Sequence, residues 1–255
     1  PVIVDANRTR AISKILKDYP EIDVIVMDDG FQHRAIRAGM NILLLDYEDL
    51  NRYNCLIPSG TLREPRSGAR RADMIIVSKT PSFFSPMEKR LLKERIQCYA
   101  SQDVFFSYMV NGEWSTLQEI DKPAIINQDY FIEREYEVLL LTGIAKPAPF
   151  VEYVSDHFKK FTHLSFADHH RFTVSDIKRI IKIFNELPSA NKIILTTEKD
   201  AMRLLREDLR ILFDDLPLFC IKVDVKFHQD DFRLFNDVIV KYAGQIKGGY
   251  TVYPR

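Results

Sequence analysis

Short apolar runs alternate with amphipathic stretches in the first part of the chain. Residues 24–27, 42–45 and 74–77 are continuously apolar and are bounded by polar or turn residues. Such runs are typical of strands that are buried on both faces of a parallel sheet. A helical pattern over residues 11–19 and a capping box from Ser85 to Glu88 predict helices between them. Residues 1–5 are also expected to form a strand.

The second half of the chain repeats this alternation. Residues 137–142, 192–197 and 218–225 predict strands, and residues 147–158 and 173–187 predict helices. Before them, residues 104–110 and 113–117 flank an Asn-Gly pair at 111–112, which is the strongest short-range signal for a β-hairpin. The pattern therefore predicts an α/β protein with two domains, residues 1–117 and 118–255, joined by a hairpin-like linker.

Composition and charge restrict the class of function. A hydrophobic content of 46% and a charged content of 28% are typical of a globular protein. Lysine and arginine together number 36, as do aspartate and glutamate, so the formal net charge is zero. Because no overall positive field attracts nucleic acid, we expect no nucleic-acid partner. No apolar run approaches the roughly 20 residues that a membrane-spanning helix needs.

Two acids and a glycine follow the apolar run at 24–27, within the sequence DDGFQH at 28–33. The carboxyl end of a parallel strand is where open α/β sheets bind ligands, and carboxylates there can hold Mg²⁺. Asp28 and Asp29 are therefore candidate metal ligands, although a plain acidic turn explains the pair alone at least as well. Gln32 could orient a phosphate or a sugar hydroxyl. His33 could do the same or cap local backbone groups.

Residues 56–71 form a second constellation, LIPSGTLREPRSGARR, which contains four arginines. Its Gly, Pro and Ser content predicts a loop. A guanidinium group matches a phosphate bidentately, so arginines on such a loop favour an anionic ligand over a solvated charged face. Arg66, Arg70 and Arg71 remain alternative phosphate or membrane-surface contacts.

Two further clusters lie in the second half. Asp168, His169 and His170 could be metal ligands, because carboxylate and imidazole both bind zinc, or they could form a surface turn before the next helix. Residues 197–200, TEKD, lie where a predicted strand enters a helix. Acids there suit the helix dipole, which favours a structural role, and Lys199 is an alternative phosphate contact.

The four motifs at 28–33, 62–65, 166–170 and 197–201, in this order, resemble those of the tetraacyldisaccharide 4'-kinases, the lipid A kinases of Gram-negative bacteria. The resemblance implies a P-loop-NTPase-like fold and ATP-dependent phosphorylation of the 4'-hydroxyl of a tetraacyldisaccharide 1-phosphate, with ATP and Mg²⁺ as cofactors. The family carries a phosphate loop, Gly-x-x-x-x-Gly-Lys-Ser/Thr, and a membrane-associating helix near its N-terminus. The loop is absent from this sequence. We therefore expect the C-terminal part of a longer kinase, with an incomplete sheet and no activity without that loop.

The resemblance also implies roles for single residues. Those implied to bind the nucleotide or magnesium are Asp28, Asp29 and Gln32. Those implied to bind the substrate are Arg8, His33, Arg63 and Glu64. Those implied to be catalytic are Asp29, Asp168 and His169. His169 would assist an aspartate base supplied by the missing N-terminal part.

The implied partners are the acylated disaccharide precursor of lipid A and, through the missing part, the membrane surface. The implied location is the cytoplasmic face of the bacterial inner membrane. Two alternatives remain open. One is a non-catalytic relative that binds a nucleotide or a lipid. The other is a metal-dependent hydrolase that uses Asp28, Asp29, Asp168 and His169.

Overall fold

The computed structural model describes residues 1–51, 55–97, 102–116, 127–204, 206, 209, 211–213 and 216–245. The helices are α1 Arg8–Asp18, α2 Tyr47–Asn51, α3 Pro86–Gln97, α4 Asp129–Glu133, α5 Ala148–His157, α6 Val174–Glu186, α7 Glu198–Leu204 and α8 Asp231–Gln245. The strands are β1 Ile42–Asp46, β2 Met74–Ser78, β3 Asp103–Thr116, β4 Glu137–Thr142, β5 Phe161–Ser165, β6 Lys192–Thr197 and β7 Leu218–Phe227. Two 3₁₀ segments are Arg66–Arg71 and Ile211–Phe213.

The chain divides into two compact units. Unit 1 comprises Pro1–Met109 and Val225–Arg255, and unit 2 comprises Val110–Asp224. The chain passes from one unit to the other twice, within β3 and again within β7. Each unit contains a parallel sheet with helices, so the predicted α/β class and the parallel arrangement of strands are confirmed.

Unit 1 has the strand order β1-β2-β3, with both pairs parallel. Strand β2 is its most buried strand, because four of its five residues, MIIV, are covered on both faces. Helix α3 packs Leu92 and Ile96 on one side of this sheet, and α8 packs Phe235 and Val238 on the Met74 side. The capping box predicted for α3 is present. The Glu88 carboxylate accepts hydrogen bonds from the hydroxyl and the backbone N–H of Ser85, and Ser85 Oγ accepts one from the backbone N–H of Glu88.

Unit 2 has the strand order β7-β6-β4-β5, again with parallel pairs. All six residues of β4, EVLLLT, are buried, as expected for a central strand with a layer on each face. One layer is the apolar stripe of α6, which begins with a capping box of Thr173 and Asp176. The other layer contains Trp114, which is 1% exposed and stacks on Phe131 and Phe158.

Two predicted strands at the beginning of the chain are wrong. Residues 1–5 and 23–27 have no regular structure, and in the described chain no strand pairs with either segment. Val24 and Val26 are 70% and 87% exposed instead of buried. An apolar run becomes a central strand only where neighbouring strands take up its backbone donors and acceptors, and this part of the described chain offers neither neighbour.

The predicted hairpin is also wrong. Strand β3 continues without a turn through Asn111 and Gly112 to Thr116. A Cβ atom on Gly112 would lie 2.6 Å from Asp224 Oδ2 and 3.2 Å from the Lys222 carbonyl oxygen. The glycine therefore permits the close approach of this strand to β7 and does not serve a turn. Leu117, the last residue of the predicted hairpin, lies outside the described residues.

The units differ from the predicted domains, residues 1–117 and 118–255. The first boundary lies earlier, and the last helix belongs to unit 1. Asp231, at the start of α8, explains this, because its carboxylate accepts the backbone N–H of Phe106 at 2.9 Å and pairs with Lys89 at 2.7 Å. The predicted boundary at residues 117 and 118 lies outside the described residues, whereas the chain crosses between the units within β3 and β7.

Candidate active site

The turn at residues 28–33 lies on the surface of unit 1. Asp29 has a φ of 48°, in the left-handed region that aspartate tolerates better than most residues. The backbone N–H of His33 donates to the Gly30 carbonyl oxygen at 3.0 Å and closes the turn. Asp28 and Asp29 are both exposed. The turn thus presents two adjacent carboxylates to solvent, although they do not end a strand as predicted.

Arg63 connects this turn with the arginine-bearing loop. Its Nη1 lies 3.6 Å from Asp29 Oδ2 and donates to Gln32 Oε1 at 3.2 Å. The side chains of Arg63 and Asp29 are 63% and 79% exposed, so the pair is accessible to a ligand. The structure therefore brings together three residues that the sequence placed in two separate motifs.

Glu64, the next residue, lies among arginines. Its Oε1 accepts from Arg71 Nη2 at 2.9 Å, and its Oε2 lies 3.4 Å from Arg34 Nη2. The hydrogen bond from Arg71 lowers the pKa of Glu64, and Arg34 adds to this effect. Arg71 also lies 4.8 Å from the ring centre of Phe31, inside the turn sequence. Glu64 can therefore hold guanidinium groups beside the turn. The loop predicted at residues 56–71 is partly a 3₁₀ segment, Arg66–Arg71.

Arg8 is not brought to this cluster by any bond in the described chain. It lies in the first turn of α1 and donates to the backbone carbonyl oxygen of Asp5. The Asp5 carboxylate accepts two bonds from Arg10, which lower the pKa of Asp5 to about 2. The group at residues 5–10 is a local structure at the start of the helix, so a substrate role for Arg8 stays a prediction.

The Asp168–His169 pair lies in unit 2, just beyond the carboxyl end of β5. His169 has a φ of 58° and donates its backbone N–H to Asp168 Oδ1 at 2.9 Å. Its ring Nε2 lies 3.5 Å from Asp168 Oδ2, and Lys199 Nζ lies 3.7 Å from Asp168 Oδ1. The His169 side chain is 73% exposed, so it is open to a ligand.

His170 has a different environment. Its Nε2 lies 3.0 Å from Asp176 Oδ2, and its ring stacks on Phe166 at 4.9 Å between centres. Burial alone would raise the pKa of Asp176, but the hydrogen bonds from His170 and Thr173 outweigh it and lower the pKa. His170 thus supports the N-terminus of α6, which agrees with the surface-turn interpretation for this residue.

The structure gives Asp200, which the sequence placed in the 197–201 motif with a structural role, a defined position, and it adds Arg203, which the sequence did not single out. Asp200 has no exposed surface and accepts bonds from the Gly143 backbone, from Thr197 and from Arg203. Arg203 in turn lies 3.2 Å from His169 Nδ1. The three-residue spacing of Thr197, Asp200 and Arg203 at a strand-to-helix junction was the signal that could have found them.

Two findings about the described residues bear on metals and membranes. No group of three or more His, Cys, Asp or Glu side chains in this part of the chain is arranged to hold a metal ion. Asp28 and Asp29 are a pair, which suits a cation such as Mg²⁺ that keeps water and phosphate ligands. In the same part of the chain, no helix is long and apolar enough to cross a membrane.

Known proteins resemble this chain in both sequence and fold. The chain is 35% identical over 242 residues to the tetraacyldisaccharide 4'-kinase of Phocaeicola vulgatus and 39% identical over 249 residues to that of Parabacteroides distasonis. Each match covers 94% of this chain and 65% of the relative, so the chain spans about two thirds of the length of these relatives.

A solved structure has the same fold as this chain. LpxK from Aquifex aeolicus, crystallised in complex with ATP, is 23% identical and superimposes with a TM-score of 0.60 over 92% of this chain and 62% of that protein, which shows a shared fold. The sequence pattern of the tetraacyldisaccharide-1-phosphate 4'-kinases matches residues 1–240, a range that contains all four motifs described above. Since that match extends over nearly the whole chain and the fold agrees, the chain belongs to the tetraacyldisaccharide-1-phosphate 4'-kinase family.

Proposed function

We propose that this chain is part of an ATP-dependent kinase that phosphorylates the 4'-hydroxyl of a tetraacyldisaccharide 1-phosphate in lipid A biosynthesis. The family membership supports this function. The observation that carries it is the contact of Arg63 with both Asp29 and Gln32, because it joins two of the motifs that define the resemblance. Phosphoryl transfer depends on positioning and on charge stabilisation, and this cluster offers groups for both.

Asp28 and Asp29 would hold Mg²⁺, which the reaction uses to neutralise charge on the β- and γ-phosphates of ATP. Two carboxylates on an exposed turn fit this ion, because Mg²⁺ takes its remaining ligands from water and phosphate. Gln32 and Arg63 would contact phosphate oxygens or a sugar hydroxyl beside the ion, and His33 would lie at the edge of that contact. Glu64 would keep Arg34 and Arg71 directed at the same region.

Asp168 and His169 would serve the acceptor hydroxyl. A histidine and a carboxylate at 3.5 Å can hold a base in the orientation that proton removal requires. The proposed acceptor is the acylated disaccharide precursor of lipid A, and the proposed place of action is the cytoplasmic face of the bacterial inner membrane. Contact with the membrane would come from polypeptide outside this chain.

Phosphate transfer from labelled ATP to the tetraacyldisaccharide 1-phosphate tests the proposal in a full-length protein that contains this chain. Asp29→Ala and His169→Ala should each lower kcat by roughly a hundredfold or more, in the range typical of lost acid–base or charge stabilisation. His170→Ala is the matched control for His169 and should be much milder, because His170 bonds Asp176. Near-normal turnover in both site variants, or substrate hydrolysis without ATP, would contradict the proposed kinase.

A further inference from the structure

A buried carboxylate lies beneath the His169 turn. Both oxygens of Asp200 are engaged, since Oδ2 accepts the Gly143 backbone N–H at 2.8 Å and the Thr197 hydroxyl at 2.9 Å. Oδ1 accepts from Arg203 Nη1 at 2.9 Å. A fully buried carboxylate is rare unless it is paired, and here every partner comes from the carboxyl ends of β4 and β6 or from α7. Asp200 therefore fixes the position of Arg203.

Arg203 has two further contacts. Its Nη1 also donates to the Gly143 carbonyl oxygen at 2.9 Å, and its Nη2 lies 3.2 Å from His169 Nδ1. A guanidinium group has donors and no acceptor, so Nδ1 must be the accepting nitrogen in this bond. The proton of the neutral His169 ring is then on Nε2. His169 Nε2 lies 3.5 Å from Asp168 Oδ2.

We infer that Arg203, held by Asp200, is a positioning residue that fixes His169 as its Nε2–H tautomer, with the protonated nitrogen near Asp168. The family resemblance already implies that His169 assists a carboxylate base, and the tautomer set by Arg203 provides the N–H that such assistance requires. The catalytic meaning of this inference rests on the proposed kinase function. The tautomer itself is a property of this chain and can be measured without any substrate.

Nitrogen-15 NMR of histidine-labelled protein measures the tautomer, because protonated and unprotonated ring nitrogens have well-separated shifts. The chain itself should show His169 with an unprotonated Nδ1 and a protonated Nε2 at a pH where the ring is neutral. Arg203→Lys keeps a cation for the buried Asp200, but an ammonium group lacks the planar fork that reaches three acceptors. In this variant His169 should become a mixture of tautomers, whereas the His170 signals should stay unchanged.

Arg171→Lys is the matched control, because Arg171 is exposed and lies two residues from His169 in sequence. It should leave the His169 tautomer unaltered. Arg203→Met, checked for folding by its thermal melt, provides a second variant that has no donor at all. A protonated Nδ1 in the unaltered chain, or His169 signals that do not respond to either Arg203 variant, would overturn the inference.

Steady-state kinetics of the full-length protein test whether the His169 tautomer matters for turnover. Arg203→Lys should lower kcat at least tenfold and leave the KM for ATP unchanged, because the residue acts through His169 and not on the nucleotide. An unchanged kcat in a variant whose His169 tautomer is altered would overturn the positioning role. If the unaltered protein transfers no phosphate at all, the proposed function fails, whereas the NMR experiment still tests the link between Arg203 and His169.

Discussion

The residues of the family motifs are held in place differently in the two units. In unit 1, Asp29 and Arg63 are both more than half exposed, and the ion pair between them lies at the surface. In unit 2, His169 is equally exposed, but it contacts Arg203, which is anchored on a carboxylate with no exposed surface. Exposed ion pairs contribute about 0–1 kcal/mol, whereas breaking a buried pair costs about 3–5 kcal/mol.

This difference indicates which of the two turns, the 28–33 turn or the His169 turn, depends on a bound ligand for the arrangement of its side chains. The His169 turn has its shape fixed by the core of unit 2, before any substrate binds. In the 28–33 turn Phe31 packs against the core of unit 1, but the side chains of Asp28, Asp29 and Gln32 are exposed. A bound cation or phosphate would therefore strengthen the order of these side chains. Three substitutions test this contrast.

Asp200→Ala should have the largest effect. It leaves Arg203 without its partner and removes the acceptor of the Gly143 N–H. We expect a loss of about 3–5 kcal/mol in the free energy of unfolding, measured by urea denaturation. Asp168→Ala is the control, because that carboxylate is 35% exposed, and it should cost about 0.5 kcal/mol or less. Equal losses in the two variants would contradict the anchoring role of Asp200.

Glu64→Gln should have an intermediate effect of about 1 kcal/mol, because it removes the charge that Arg34 and Arg71 share. The pKa of Glu64 is lowered in the folded protein, so its stabilising contribution is complete above the ordinary glutamate pKa and is lost as the pH falls through the lowered pKa. The free energies of unfolding of the two proteins should therefore converge as the pH falls below the ordinary glutamate pKa of about 4.3 and then through the lowered pKa of Glu64. A difference that persists at acid pH would exclude this ion pair as its cause.

Arg63→Met should have the smallest effect on stability. The pair with Asp29 is exposed, so we expect a change within about 0.5 kcal/mol that disappears in about 1 M salt. The thermal melt at low and high salt measures this. A loss comparable to that of Asp200→Ala would mean that the 28–33 turn is as firmly built as the His169 turn, which would remove the contrast between the units.

Much of the fold follows from local signals. Strands β2 and β4 were predictable because each contains an uninterrupted apolar run, MIIV and VLLL. Helix α6 was predictable because Thr173 and Asp176 form its cap within four residues. Residues 23–27 carry the same apolar signal and fail, because hydrogen bonding to neighbouring strands is not encoded in the run itself. The Asn111–Gly112 signal fails because the glycine is needed for contact with Asp224, far along the chain.

The candidate site divides in the same way. Asp29, Gln32 and Arg63 were found through motifs, and their contacts agree with that grouping. Asp200 lies in the 197–201 motif, but its bond to Gly143, 57 residues away in the sequence, could not be read from that motif. Arg203 lies outside the motifs, and it bonds Gly143 from 60 residues away. The sequence of a helix that starts with acidic residues is the same whether its aspartate is exposed or buried. The burial of Asp200 could therefore be established only from the structure.

The passage of the chain through β3 and β7 has a consequence for biosynthesis. The Met74 side of the first sheet is covered by Phe235 and Val238, which leave the ribosome only after all of unit 2 has been translated. Unit 2 is one uninterrupted segment and can fold as soon as it has emerged. Unit 1 therefore begins to be made before unit 2 but is finished after it, and until α8 emerges the Met74 side of its sheet lacks that cover.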